Sequence, residues 1–211
     1  MNHTQSLYFF LFNVFMMGWN VFLSVVPIIL AQVLLKAKSK NVQIVLFPLW
    51  LVFLPNTLYM ITDVIHIFNP RFSQMTIPFQ ILGIGLYLLI FFLAVYTFVL
   101  SIKPILHKYH AFLDGLHSQS KYLLFSFFSL LIGFAISMGR FQRTNTWYLF
   151  TQPVRVVRDV FDSLTDPTIL FVAIFYSIGA FVLIIIFDSH YRSLRGVSKA
   201  TDEAISFENC Y

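Results

Sequence analysis

Long apolar runs alternate with short polar connections along this chain. Five runs are long enough to cross the roughly 30 Å of hydrocarbon that takes about 20 helical residues: Leu7 to Leu35, Val42 to Ile61, Ile77 to Ile102, Tyr122 to Met138 and Ile169 to Phe187. They are solidly apolar, not alternating, so they predict helices that satisfy their own backbone groups and not the strands of a closed barrel. The expected fold is all-α: a polytopic transmembrane helical bundle of about five spans over residues 1–195, with a polar, flexible tail over residues 196–211.

The connection from Gly139 to about Thr168 is longer than compact loops usually are. Within it Val154, Val157, Phe161 and Leu164 recur at offsets of three, seven and ten, while Arg155, Arg158, Asp159 and Asp162 fall elsewhere. This predicts an amphipathic helix between Pro153 and Pro167, lying along the bilayer surface, with Trp147 and Tyr148 as interfacial residues before it. No internal repeat and no low-complexity segment stands out.

Composition agrees, with 58% hydrophobic residues, 11% charged and a mean hydropathy of +0.78. No Lys or Arg precedes the first run and no small-residue cleavage signal follows it, so it is expected to remain as the first helix. Cys210 is the only cysteine, which excludes an internal disulfide and a thiolate metal site, and Asn209-Cys210-Tyr211 does not fit a prenylation box.

Five spans place Lys36, Lys38, Lys40, Lys103, Lys108, Lys121, Arg192, Arg195 and Lys199 on one side, nine positive residues in all. The other side receives Arg71, Arg140, Arg143, Arg155 and Arg158, which makes five. Positive-inside bias therefore predicts an outer N-terminus and a cytoplasmic C-terminus. Asp159, Asp162 and Asp166 lie beside the outer arginines and can partner them.

Two polar strings interrupt the apolar pattern, Leu54 to His66 and Gly139 to Trp147, and five spans put both at the outer face. Asn56, Tyr59, Asp63 and His66 are spaced three, four and three apart, so a continuous helix would align them on one face that lipid rejects. Pro55 should kink that helix, and Pro48 can bend it earlier. Ser126, Ser129, Gly133 and Ser137 form a small-residue stripe on the fourth run, with Arg140 beyond it. The stripe is expected to pack near the polar face of the second helix and bring Arg140 towards Asp63. The pair then either neutralises itself and fixes packing, or forms part of a site.

The patterns L-P-N-x-x-Y-x-x-T-D-x-x-H and G-R-F-x-R-x-N-x-W, with Pro153 following, resemble the signatures of a family of small bacterial integral-membrane proteins catalogued as a domain of unknown function. The resemblance covers most of the chain and carries over Pro55, Asn56, Tyr59, Thr62, Asp63, His66, Gly139, Arg140, Arg143, Asn145, Trp147 and Pro153. The chain departs from the pattern at Thr144 and Tyr148, where a bulky aromatic and an acid are expected. What the resemblance implies is residence in the bacterial plasma membrane and a fold; it implies no reaction.

The only glutamates, Glu203 and Glu208, lie in the tail, which excludes a membrane protease built on paired glutamates. No G-x-S-x-G elbow, H-E-x-x-H helix or Walker A loop is present. Asp63 and His66 supply two ligands, fewer than the three of a usual catalytic zinc site, and no metal or cofactor is expected. His66 could serve as an acid or base oriented by Asp63 or Thr62, although a structural hydrogen bond explains it as well. His107, His110, Asp114 and His117 would align on one helix face, but Gly115 and Pro104 favour a solvated loop without metal. Gly83 and Gly85 are expected to serve packing or flexibility.

The candidate polar site is therefore Asn56, Tyr59, Thr62, Asp63, His66, Arg140, Arg143, Asn145 and Trp147. Two function classes follow. One is a structural or accessory membrane component. The other is an outer-face enzyme, binding protein or small transporter component that takes a lipid-linked or phosphate-bearing group on Arg140 and Arg143, whose planar forks suit phosphate. The expected partners are membrane lipids; nucleic acid is not one, and no protein partner is indicated.

Overall fold

A computed structural model describes the backbone of residues 1–208 and the side chains of residues 1–193. Among these residues every regular element is helical: α1 (His3–Lys36), α2 (Lys40–Phe53), α3 (Pro55–Tyr59), a 3-10 segment (Met60–Phe68), α4 (Pro70–Ser73), α5 (Ile77–Lys108), α6 (His110–Gly115), α7 (Ser118–Phe141), α8 (Tyr148–Thr151), α9 (Pro153–Thr165) and α10 (Pro167–Glu208). The tail expected over residues 196–211 lies outside the residues whose side chains are described.

Five helices have the length and apolarity of membrane spans: His3–Lys36, Lys40–Phe68, Ile77–Lys108, Ser118–Phe141 and Pro167–Ser193. The chain is thus an all-α polytopic bundle, and each predicted run lies inside one span. The helices outlast their runs because backbone hydrogen bonding continues into the interface, whereas hydropathy marks only the hydrocarbon. Local signals set the ends. Asn2 and Gln5 form a reciprocal cap on α1, with Gln5 N–H donating to Asn2 Oδ1 at 2.8 Å and Asn2 N–H to Gln5 Oε1 at 3.2 Å. Asp166 Oδ1 accepts the Thr168 N–H at 2.8 Å ahead of α10, with Pro167 in the first helical position.

The central core joins Leu34, Trp50, Leu54, Phe98, Ile132, Ile136 and Ile184, from all five spans. A smaller cluster of Met17, Met60, Phe72, Met75, Phe79 and Tyr87 fills the end where the chain begins. Phe15, Ile44, Ile81, Phe171 and Phe175 stay exposed, as lipid-facing residues of a bundle do. α5 lies along α1, α10 lies along α7, and short α3 touches α1, α5 and α7.

At Gly133 the small-residue stripe packs on α10, not on the second span. A Cβ at Gly133 would fall 2.2 Å from Ser177 Oγ and 2.3 Å from the Ala173 carbonyl oxygen, so α7 and α10 meet there backbone to backbone. This corrects the sequence expectation. Spacing identifies a surface that admits a close neighbour, but not the neighbour. Gly83 does serve packing, because a Cβ there would meet the Phe72 ring at 2.6 Å; Gly85 faces open space.

At the far end of the bundle Lys121 is buried and pairs with Asp188. Arg192 reaches Asp188 at 3.2 Å and Asp114 at 3.1 Å, which ties α6, α7 and α10 together. The expected solvated loop around His110 is instead helical, and it breaks at Tyr109 and Leu116. His107, His110, Asp114 and His117 therefore do not share one continuous helix. His107 Nδ1 stands 2.5 Å from the Tyr191 hydroxyl, and His110 Nδ1 stands 2.6 Å from the His107 carbonyl oxygen.

Candidate functional site

Pro55 has no N–H to donate, so the second span breaks after Phe53. Two carbonyls at the break are met locally. Asn56 Nδ2 donates to the Phe53 carbonyl at 3.1 Å, while the Thr57 N–H and hydroxyl donate to the Leu54 carbonyl at 3.1 and 2.7 Å. From Met60 the chain winds as a nine-residue 3-10 segment, long for a geometry that rarely persists beyond three or four residues. At three residues per turn Asp63 and His66 fall in one row, and Tyr59 and Thr62 in the next. The single face expected for Asn56, Tyr59, Asp63 and His66 is thereby split in two.

One half faces α7 and the loop after it. Asn56 Nδ2 donates to Thr146 Oγ1 at 3.1 Å, and the Tyr59 hydroxyl donates to the Gly139 carbonyl at 3.4 Å. A Cβ at Gly139 would lie 3.1 Å from the Tyr59 ring, so glycine there lets the ring lie against the helix backbone. The two polar strings therefore meet at one end of the bundle.

Between them opens a cavity of about 440 Å³. Its polar lining residues are Asn20, Asn56, Tyr59, Thr144, Asn145 and Thr146, amides and hydroxyls without a charged side chain. Its walls are apolar, with Leu51 and Val52 from α2 and Leu131, Phe134 and Ala135 from α7, and α9 contributes Val156 and Val160.

The other half of the split face turns towards α1. Asp63 is 6% exposed and its Oδ2 accepts from Asn20 Nδ2 at 2.8 Å. The expected direct contact with Arg140 or Arg143 is absent, since among the described residues no carboxylate oxygen lies within 4.0 Å of either guanidinium. The tighter winding turns the carboxylate to α1 instead of α7. Arg140 is half-buried and interacts electrostatically with Tyr59, Asp63 and His66. Thr62 is buried beside Tyr59, and His66 is half-buried.

Arg143 stands apart from this group. It is exposed and has φ 56°, the left-handed conformation that ends α7, while the Thr144 N–H reaches back to the Met138 carbonyl at 3.5 Å. Asn145 lines the cavity and donates to the Arg143 carbonyl at 3.4 Å. Trp147 packs edge-on against Trp19 of α1, with ring centroids 6.2 Å apart.

α9 covers this end, and the two positions where the chain departs from the motif pattern both hold it. Thr144 Oγ1 donates to Asp159 Oδ2 at 2.5 Å, and the Tyr148 ring lies 4.5 Å from the Arg155 guanidinium carbon. Arg155 also pairs with Asp159 at 3.6 Å, one of the partnerships expected for the loop aspartates. Val154, Val157, Phe161 and Leu164 remain exposed along one side, so the amphipathic helix turns its apolar stripe outward from the protein.

Sequence reasoning missed Asn20, Thr144 and Thr146. A usable signal existed for Asn20: Ser6, Asn13 and Asn20 recur at seven-residue spacing within an apolar run, which marks one inward face of α1. Among the described residues no group of three or more His, Cys, Asp or Glu is placed to hold a metal ion.

No curated protein and no solved structure matches the chain. Residues 19–185, well over half of the 211 residues, match the family described as "Protein of unknown function (DUF1361)". That stretch contains both polar strings and the whole cavity lining, and the chain belongs to the DUF1361 family.

Proposed function

We propose that this protein is a non-catalytic accessory component of the bacterial plasma membrane that holds a lipid-type amphiphile in the cavity beneath α9. The observation that carries this is the cavity itself, which has hydrogen-bonding groups and hydrocarbon walls within one space of about 440 Å³. Ligand sites are mostly apolar concavities with a few convergent polar groups, and the bilayer presents amphiphiles to such a space laterally. The positive-residue bias supports an outer N-terminus and a cytoplasmic C-terminus, so the cavity opens in the outer leaflet.

A second reading gives the ligand a phosphate held by Arg140. It is favoured by a half-buried guanidinium with no carboxylate oxygen within 4.0 Å. Neither arginine is a lining residue of the cavity; Arg140 is half-buried and interacts with the lining residue Tyr59, whereas Arg143 is exposed.

The test is the lipid that remains with the purified protein, measured by mass spectrometry against the bulk membrane extract. The expected result is one enriched amphiphile class that Ala135→Phe, which fills the cavity, removes. Loss on Arg140→Gln with retention on Arg143→Gly selects the phosphate reading; retention on both selects a neutral head. Bound lipid with the composition of the bulk extract overturns the proposal.

A further inference from the structure

A second cavity of about 300 Å³ lies along the same seam, farther from the polar groups. Phe47, Trp50 and Leu54 line it from the second span, and Leu124, Phe128 and Ile132 from α7. Its lining is hydrocarbon apart from Tyr109 and Trp50, and the Trp50 indole N–H is already committed to Ser101 Oγ at 2.8 Å. A water there would have at most the Tyr109 hydroxyl as a partner, fewer than the two to four it needs, and apolar cavities of this kind stay dry or take apolar ligands.

The two cavities have Leu51 as a common wall. On the second span Phe47, Leu51, Pro55 and Tyr59 recur every four residues, and all four line one cavity or the other. On α7 the corresponding series is Leu124, Phe128, Leu131, Ala135 and Met138, at alternating steps of four and three, which keeps to one helix face. α2 and α7 start from the same end of the bundle, so the two series run side by side. Phe47 and Phe128 bridge the seam with ring centroids 6.0 Å apart, a contact made by long side chains. From Met138 to Leu124 the helix rise amounts to about 21 Å, much of the roughly 30 Å hydrocarbon thickness.

We propose that the ligand carries one long apolar chain, acyl or polyprenyl, which leaves the polar-lined cavity past Leu51 and continues down the seam between α2 and α7 into the second cavity. This rests on the amphiphile-binding reading above and adds to it a chain length and a path. A short-chain amphiphile would fill only the upper cavity. A long one places its distal half in the second cavity as well, where van der Waals contact with rings such as Phe47 and Phe128 adds to its hold.

The experiment uses the full chain in detergent with photoactivatable monoacylglycerols, octanoyl and palmitoyl, each with a diazirine at the chain terminus, and maps the labelled residues by mass spectrometry. The palmitoyl probe should label around Phe128 and the octanoyl probe around Ala135, with the palmitoyl probe retained better than the octanoyl one once each is corrected for its uptake by protein-free micelles. Leu124→Trp, at a residue that lines the second cavity and not the first, should move the palmitoyl label up to Ala135 and remove its advantage while leaving octanoyl retention near the wild-type value. Equal retention of both probes by the wild type, or palmitoyl label confined to lipid-facing Leu123 and Leu130, overturns the chain path; the wild-type comparison needs no variant to fold. Saturable retention of both probes in the upper cavity would leave the amphiphile reading standing while the path fails. Retention of neither overturns both.

Discussion

Asp63 illustrates how much depends on a single neighbour. A buried carboxylate needs donors, and among the described residues its hydrogen bond of 2.8 Å comes from Asn20, 43 residues earlier in the chain. Removing the amide leaves the acid unsatisfied, at a cost of about 1–3 kcal/mol. Asn20→Leu should therefore lower the thermal unfolding midpoint in detergent, and the exchange Asn20→Asp with Asp63→Asn should restore part of the loss because the same pair of groups faces itself in reverse. Equal destabilisation by the single and double variants would argue against this pairing. Gly133 makes a parallel case through sterics. Gly133→Ala drives a methyl into Ser177 and the Ala173 carbonyl, an overpacking worth about 1–3 kcal/mol. Gly179→Ala meets open space and should match or exceed the wild type in monodisperse yield.

Elements behave here as units set by their ends and attachments. α9 is bounded by Pro153 and Pro167, presents its apolar stripe outward and is tied down on the other side by Thr144 and Tyr148. A hydrogen bond to a charged group contributes about 1.5–3 kcal/mol. Thr144→Val should accordingly speed amide exchange in α9 roughly tenfold or more, with α7 and α10 unchanged, whereas Thr144→Ser keeps the hydroxyl and should behave as wild type. Unchanged exchange in Thr144→Val would mean that bilayer contact alone holds the helix. The second span teaches a different lesson about elements. The break expected at Pro55 is present, but the 3-10 winding after it redistributes the polar side chains between α1 and α7.

At the scale of the whole molecule, sidedness decides which compartment the cavity faces. The charge bias predicts that cysteines introduced at Thr146 and Ser39, in a Cys210→Ser background, react with an impermeant thiol reagent from opposite sides of the membrane. Labelling of both from one side would reverse the orientation or change the span count. The bundle carries a polar cluster at each end. One encloses the cavity beneath α9; the other, Lys121, Asp188, Arg192 and Asp114, locks α6, α7 and α10. Lys121 and Arg192 enter the charge bias as topogenic residues, yet the fold also uses them as a buried and a half-exposed brace.

Five spans, the amphipathic helix between its two prolines, the break at Pro55 and the meeting of the two polar strings were all legible in the amino-acid sequence, because each rests on a local quantity: run length, periodicity, a missing N–H, or the parity of crossings. Which surfaces meet was not legible. The small-residue stripe of α7 admits any close neighbour, and only the tertiary structure selects α10; Asp63 requires a donor, and only the tertiary structure supplies Asn20 in place of an arginine. The cavity is likewise a property of helices that stand apart, lined by residues as distant in sequence as Asn20 and Val160. Within lipid, apolar faces are nearly equivalent partners, so pairing is decided by shape and by the few polar groups that must be satisfied, and both depend on contacts between distant segments.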